Sequence, residues 1–132
     1  MHSPITERQF ARLKTRFPNA SCELLASGAA LVTVPEFLIP GGWSQSKTDI
    51  RFVVPAGYPG PFPDCFWATT GLRLADGRLP TNAQDDNPIP ETSLVCFWFS
   101  WHITDAAQNW DPNRDDLSTY VSIIATRFEK LQ

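Results

Sequence analysis

Two residues in the aromatic segment from Leu94 to His102 have side chains suited to covalent chemistry. Cys96 carries a thiol, and His102 is one of only two histidines in the chain. A thiol can form an acyl intermediate, and an imidazole can transfer protons near neutral pH. The segment therefore predicts either a nucleophilic cysteine with a histidine base or a cysteine that belongs to the core.

The separation of these two residues limits how they can cooperate. Six residues of extended chain span up to about 20 Å, so a direct contact between Cys96 and His102 requires the chain to turn back. In an extended segment Cys96 also shares a face with Leu94 and Trp98, and an apolar face blunts the reactivity of a thiol. Burial of Cys96 would therefore shift the prediction to His102 and to a binding role.

The overall composition favours one small domain with a protein or small-molecule partner. A chain of 132 residues has the usual size of a single domain, here residues 1–132. Its formal net charge of -3, without a run of Lys or Arg, argues against a nucleic-acid partner. There is no stretch of about 18 uninterrupted apolar residues and no signal-peptide pattern, so we expect a soluble cytoplasmic protein without a membrane partner.

The other two cysteines, Cys22 and Cys65, begin predicted strands and are expected to lie in the core. With Cys96 they make an odd number, and they are widely spaced without a Cys-x-x-Cys pattern. Such spacing disfavours a disulfide framework and a zinc site. We expect reduced thiols and no bound metal.

The elements that must position the aromatic segment begin with a short helix. Ser3 is a predicted N-cap, Pro4 the first helical residue, and apolar residues up to Phe17 fall on one face. Four strands then follow, with connections too short for parallel crossovers. The sequence therefore predicts an antiparallel meander of four strands: Cys22–Ala26, Ala29–Leu38, Thr48–Val54 and Cys65–Thr69.

Residues 71–93 are rich in Gly, Pro, Asn and Asp and predict a long, irregular, functional loop. The acidic residues Asp85, Asp86 and Glu91 either orient a basic partner or are simply solvated. After Trp110-Asp111-Pro112 an apolar stripe predicts a C-terminal helix, with Asp115 and Asp116 in its first turn. The stripe comprises Leu117, Tyr120, Val121, Ile124, Phe128 and Leu131.

This order of elements, an α+β arrangement, resembles the ubiquitin-conjugating (UBC) fold. Residues 55–64, Pro-Ala-Gly-Tyr-Pro-Gly-Pro-Phe-Pro-Asp, are similar to the proline-rich signature between the third and fourth strands of that fold. Trp110-Asp111-Pro112 is similar to its Trp-x-Pro before the C-terminal helix. More narrowly, the chain resembles a prokaryotic UBC-like family, family E, through Gly42-Trp43, Phe66-Trp67, Phe99-Ser100-Trp101-His102 and Asp115-Asp116-Leu117.

The resemblance implies an acyltransferase that works with a ubiquitin-like protein. A cysteine would accept the C-terminus of that protein as a thioester from a ThiF-type activating enzyme and pass it to an acceptor amine. Neither a metal nor an organic cofactor is implied. Members of the group are associated with bacterial operons for ubiquitin-like proteins, which suggests antiviral or stress defence.

The resemblance also suggests roles for individual residues. The UBC motif His-Pro-Asn begins ten residues before the cysteine, where this chain has Asp86-Asn87-Pro88 before Cys96. Asn87 would support the oxyanion, with Asn82 as a rival, and His102 would act as base or organise the loop. The motif histidine is absent here, and the interval from Cys96 to Trp110 is longer than usual in the fold.

Two alternatives stay open. Relatives can have tryptophan at the position of Cys96, in which case His102 is the shared functional residue. The chain is then a non-catalytic UBC-like module that binds a ubiquitin-like protein or its activating enzyme. A third interpretation is an aromatic carbohydrate or peptide binder, which requires an exposed patch formed by the five tryptophans.

Overall fold

A computed structural model describes residues 3–100 and 110–132. These residues form two helices, α1 and α2, and one antiparallel sheet of six strands, an α+β architecture. No helix in the described part of the chain is long and apolar enough to cross a membrane. The helices are α1 (Pro4–Arg16) and α2 (Leu117–Phe128), and the strands are β1 (Ser21–Leu24), β2 (Ala30–Leu38), β3 (Lys47–Val54), β4 (Phe66–Ala68), β5 (Ala83–Pro88) and β6 (Val95–Phe99).

The sheet corrects the prediction of a four-stranded meander followed by an irregular loop. The four predicted strands correspond to β1–β4, but the sheet continues in the order β1-β2-β3-β4-β6-β5. The region 71–93 contains β5, and the segment with Cys96 is β6. β5 has no β-branched or aromatic residue, so its sequence lacks the local signal of a strand. Its backbone hydrogen bonds depend on β6, a partner that composition does not reveal.

One face of the sheet packs against both helices and forms the main core. In β3 the alternation of Ile50, Phe52 and Val54 places all three side chains in this core, as the period of two predicts. The predicted stripe of α2 is also buried, from Leu117 to Phe128. Leu131 lies beyond the helix and is 49% exposed, which corrects its assignment to the stripe.

The starts of both helices are fixed by side-chain caps. Ser3 Oγ accepts a hydrogen bond from the backbone N–H of Thr6, as its predicted N-cap role requires. Asp116 is the N-cap of α2 and forms a reciprocal capping box with Thr119. Asp115 and Asp116 therefore precede the first turn, and the prediction that they lie within it is wrong.

The proline-rich segment between β3 and β4 is anchored to both helices through Gln9. The Tyr58 hydroxyl donates to Gln9 Oε1 at 2.6 Å, and the backbone N–H of Leu117 donates to the same oxygen at 3.2 Å. Gln9 lies on α1 and is buried. One side-chain amide thus connects α1, the segment around the cis Tyr58–Pro59 peptide and the start of α2.

Candidate functional site

The opposite face of the sheet carries a smaller apolar cluster, and this cluster contains Cys96. Its buried members are Leu25, Ala29, Leu31, Trp67, Ile89 and Cys96, and we refer to it as the second cluster. Cys96 lies on β6 between the exposed Val95 and the buried Phe97, with 5% of its own surface exposed. Nucleophilic attack brings the reacting atoms within about 3–3.5 Å, so an acyl carbon would have to displace part of this packing to reach the sulfur.

A guanidinium group lies beside the thiol. Arg51 Nη1 donates to Cys96 Sγ at 3.6 Å, the position expected for a long hydrogen bond to sulfur. Arg51 Nε is buried and has no hydrogen-bond partner in the described structure. Arg51 lies on β3, whose odd-numbered residues face the second cluster because its even-numbered residues face the main core. A positive charge therefore stands next to Cys96 even though the sulfur is buried.

Of the two candidate asparagines, only Asn87 is brought to Cys96. In the β5–β6 pairing Asn87 is directly opposite Cys96, which places their side chains on the same face. Asn87 Oδ1 also accepts from Trp67 Nε1, at a long 3.5 Å. Asn82 is opposite Ser100 instead, since its carbonyl accepts from the Ser100 N–H at 2.8 Å. The β5–β6 pairing therefore brings Asn87 and Cys96 together, and their catalytic roles stay a prediction.

Two predicted residues of the aromatic segment lie outside the described ranges. His102 and Trp101 lie outside the described residues, so the predicted relation between Cys96 and His102 stays a prediction. Trp43 and Trp67 are buried, and Trp98 and Trp110 are half-buried. None of these four tryptophans is exposed, so the described ranges offer no exposed tryptophan patch for a carbohydrate or peptide binder.

Two of the three acidic loop residues are engaged in structural contacts. Asp85 accepts from Gly71 N–H and from Arg73, each at 3.0 Å. Partial burial alone would raise the pKa of Asp85, but hydrogen bonds from the Asp86 N–H, Arg73 and the Gly71 N–H outweigh it and lower the pKa. Glu91 accepts from the N–H and the hydroxyl of Ser27. These carboxylates connect the β5–β6 hairpin to the rest of the fold.

Cys65 lines a groove of about 250 Å³ beside the second cluster, at the start of β4. We call it the β4 groove; its apolar walls include Phe62, Trp67 and Pro90. Burial raises the pKa of the Cys65 thiol, a hydrogen bond from Trp98 partly offsets this, and Asp64 raises it further. Burial also raises the pKa of Cys22, to about 11. Both groups remain protonated near neutral pH, and neither is a ready nucleophile.

Sequence reasoning missed the β4 groove because its walls come from three separate segments. Phe62 belongs to the proline-rich segment, Trp67 to β4 and Pro90 to the β5–β6 turn. Each residue has an ordinary structural explanation on its own. Only the proline and aromatic density of residues 55–67 gave a local signal.

The two motifs lie where the resemblance expects them: the proline-rich segment between β3 and β4, and the Trp-x-Pro before α2. A comparison with family models decides the assignment. The model for prokaryotic E2 family E matches residues 14–131. The chain belongs to this family. The resemblance inferred from the motifs is thereby confirmed, and the family E protein is an E2-like protein of the ubiquitin-like conjugation type. No curated protein and no solved structure matches it.

Proposed function

We propose that this family E protein is a UBC-like module that binds a ubiquitin-like protein or its ThiF-type activating enzyme without forming a thioester at Cys96. Burial of the Cys96 sulfur in the second cluster is the observation that carries the proposal. A thioester would require the bulky C-terminus of a protein to reach a strand residue packed against Trp67 and Ile89. Family membership supports partners of these two classes in general.

His102 is the residue to which we assign a role in binding. It follows β6 by three positions and belongs to the Ser-Trp-His segment through which the chain resembles its family. A neutral imidazole can donate and accept a hydrogen bond at once, which suits recognition of a peptide backbone. We place the protein in the bacterial cytoplasm, in a conjugation system for antiviral or stress defence.

A second candidate is the thioester-forming enzyme, with Cys96 as nucleophile, Asn87 as oxyanion support and His102 as base. The pairing of Asn87 with Cys96 and the Arg51 contact favour it. Arg51 would stabilise a thiolate once the strand is exposed. This candidate requires β6 to open locally before acyl transfer, a step that the binding module does not need.

The two candidate functions differ in whether Cys96 forms a thioester with the ubiquitin-like protein. The protein is incubated with its activating enzyme, ATP and the ubiquitin-like protein, and the products are run on a non-reducing gel. We expect no reducible adduct that depends on Cys96, and we expect binding of the partner, measured by calorimetry, to be unchanged in Cys96→Ala. His102→Ala should weaken this binding at least about tenfold, equivalent to about 1.4 kcal/mol.

The matched controls are Cys65→Ser and Cys22→Ser, which alter the two half-buried thiols. A reducible adduct that is lost in Cys96→Ser and retained in both controls would establish the enzyme instead. Circular dichroism of each variant verifies that the sheet is intact. Absence of binding to both the ubiquitin-like protein and the activating enzyme would refute the proposal of a binding module.

A further inference from the structure

The β4 groove has an apolar floor with two exposed carboxylates at its margin. Val53, Phe62, Trp67 and Pro90 line it, together with Asp64 and Glu91. Its volume of about 250 Å³ lies just below the range of about 300–1,000 Å³ that is typical of small-molecule pockets. A space of this size suits one large side chain rather than a cofactor.

Several contacts hold the groove in shape. Phe62 is stacked on Trp110, with ring centroids 5.2 Å apart and an interplanar angle of 16°. Glu91 is fixed by two hydrogen bonds to Ser27, at 2.9 and 2.7 Å. Trp67 is buried in the second cluster. A preformed groove loses little conformational entropy on binding.

The charge of the groove selects its ligand. Asp64 and Glu91 are both exposed, and no lysine or arginine of the described ranges lines the groove. A peptide with an apolar side chain for the floor and a cation for the margin is therefore complementary in both shape and charge. An acidic segment would be repelled.

We propose that the β4 groove binds a protein segment in which a large apolar side chain is adjacent to a lysine or arginine. Cys96 does not line the groove, although Trp67 belongs to both the groove wall and the second cluster, and the proposal does not depend on the function proposed above. The apolar side chain contacts Phe62, Trp67 and Pro90, and the cation lies near Asp64 and Glu91.

The test uses the full chain and three short peptides of matched length. Acetyl-Ala-Phe-Lys-Ala-amide is the ligand probe, and the Phe-Glu and Ala-Lys versions are its controls. In NMR titrations we expect saturable shifts of the Trp67 indole signal with the Phe-Lys peptide and at least about tenfold weaker binding of both controls. Equal binding of the Phe-Glu peptide, or no saturable binding of the Phe-Lys peptide, would overturn the proposal.

Variants test whether the carboxylates of Asp64 and Glu91 contact the cation of the peptide. Asp64→Asn combined with Glu91→Gln should weaken the Phe-Lys peptide several-fold and remove most of the salt dependence of its affinity. Glu129→Gln, which removes an exposed carboxylate at the end of α2, is the matched control and should leave the affinity unchanged. A loss of affinity that is the same in the control and in the double variant would contradict a site at the groove.

Thiol protection gives an independent measurement that needs no variant. Cys65 lines the groove, whereas Cys22 lies on β1, and both are half-buried. At a peptide concentration ten times the Kd, alkylation of Cys65 by N-ethylmaleimide should slow about tenfold while that of Cys22 does not change. Equal rates for Cys65 with and without peptide would place the peptide elsewhere.

Discussion

Two buried tyrosine hydroxyls show how the surroundings of a residue decide its contribution to stability. Tyr58 donates to Gln9 Oε1 at 2.6 Å, whereas the hydroxyl of Tyr120 has no hydrogen-bond partner within the described residues. Burial is the main cause that raises the pKa of both groups. An unpaired buried hydroxyl costs about 1–3 kcal/mol of desolvation, while a paired one stabilises the fold.

The two hydroxyls therefore predict opposite effects of the same substitution. Tyr58→Phe should lower the free energy of unfolding by about 1–2 kcal/mol, because Gln9 loses a donor. Tyr120→Phe should leave it unchanged or raise it by up to about 1 kcal/mol. Urea denaturation measures both variants. A loss in Tyr120→Phe as large as that in Tyr58→Phe would mean that the Tyr120 hydroxyl is hydrogen-bonded after all.

The reactivity of a cysteine also depends on its surroundings and not only on the residue type. The chain has three thiols, of which Cys96 is buried in the second cluster and the other two are half-buried. The resemblance implied that Asn87 supports an oxyanion at Cys96; Asn87 lies opposite Cys96 in the β5–β6 pairing, and its role stays a prediction. Cys96 itself is packed in the second cluster with 5% of its surface exposed, which disfavours the approach of a bulky substrate.

Among the elements, α2 shows the clearest agreement between local sequence and structure. Its N-cap Asp116 accepts from the Thr119 N–H at 3.0 Å, and Thr119 Oγ1 accepts from the Asp116 N–H at 3.1 Å. Arg12 also lies 3.3 Å from Asp116, but its side chain is mostly exposed. Exposed ion pairs contribute about 0–1 kcal/mol, so the cap should dominate.

Replacement of the cap separates these two contributions. Asp116→Ala should lower the free energy of unfolding by about 1 kcal/mol because the first turn of α2 loses its acceptor. Asp116→Asn retains the acceptor and removes the charge. It should lower the free energy of unfolding by only a few tenths of the loss expected for Asp116→Ala. Chemical denaturation of the pair is the measurement. Equal losses would assign the effect to the Arg12 ion pair instead.

β5 is a strand that the sequence did not predict. Its residues, Ala83 to Pro88, carry polar side chains, a bulge between Gln84 and Asn87 and a proline at the end. These are features by which an edge strand avoids pairing with another chain. They also resemble a surface loop in composition, so the same residues that protect the edge conceal the strand.

For the molecule as a whole, a buried arginine connects the C-terminal residues to the segment before β5. Arg127 is 2% exposed and donates to the carbonyls of Lys130, Thr81 and Gln132, each at 3.0 Å. Its guanidinium lies over the ring of Phe99 at 5.1 Å. Burial lowers the pKa of Arg127. One side chain thus holds the C-terminal residues against the segment before β5 and against β6.

Loss of the planar guanidinium should affect the whole domain. We expect Arg127→Lys to lower the free energy of unfolding by at least about 2 kcal/mol, because one ammonium cannot donate to three carbonyls in these directions. Arg127→Met, which removes all donors, should cost more. Arg8→Lys on the exposed surface of α1 is the control, expected within about 0.5 kcal/mol of the original protein. Full stability of Arg127→Lys would show that the carbonyls need no such donor.

The sequence by itself determined α1, α2, β1–β4 and the family. Helix caps, the alternation in β3 and the stripe of α2 are local patterns, which depend on residues a few positions apart. The tertiary structure alone decided the pairing of β5 with β6, the burial of Cys96 beside Arg51 and the assembly of the β4 groove. Each of these requires segments that are distant in sequence to meet, and the free energy of such contacts appears only when the sheet has formed.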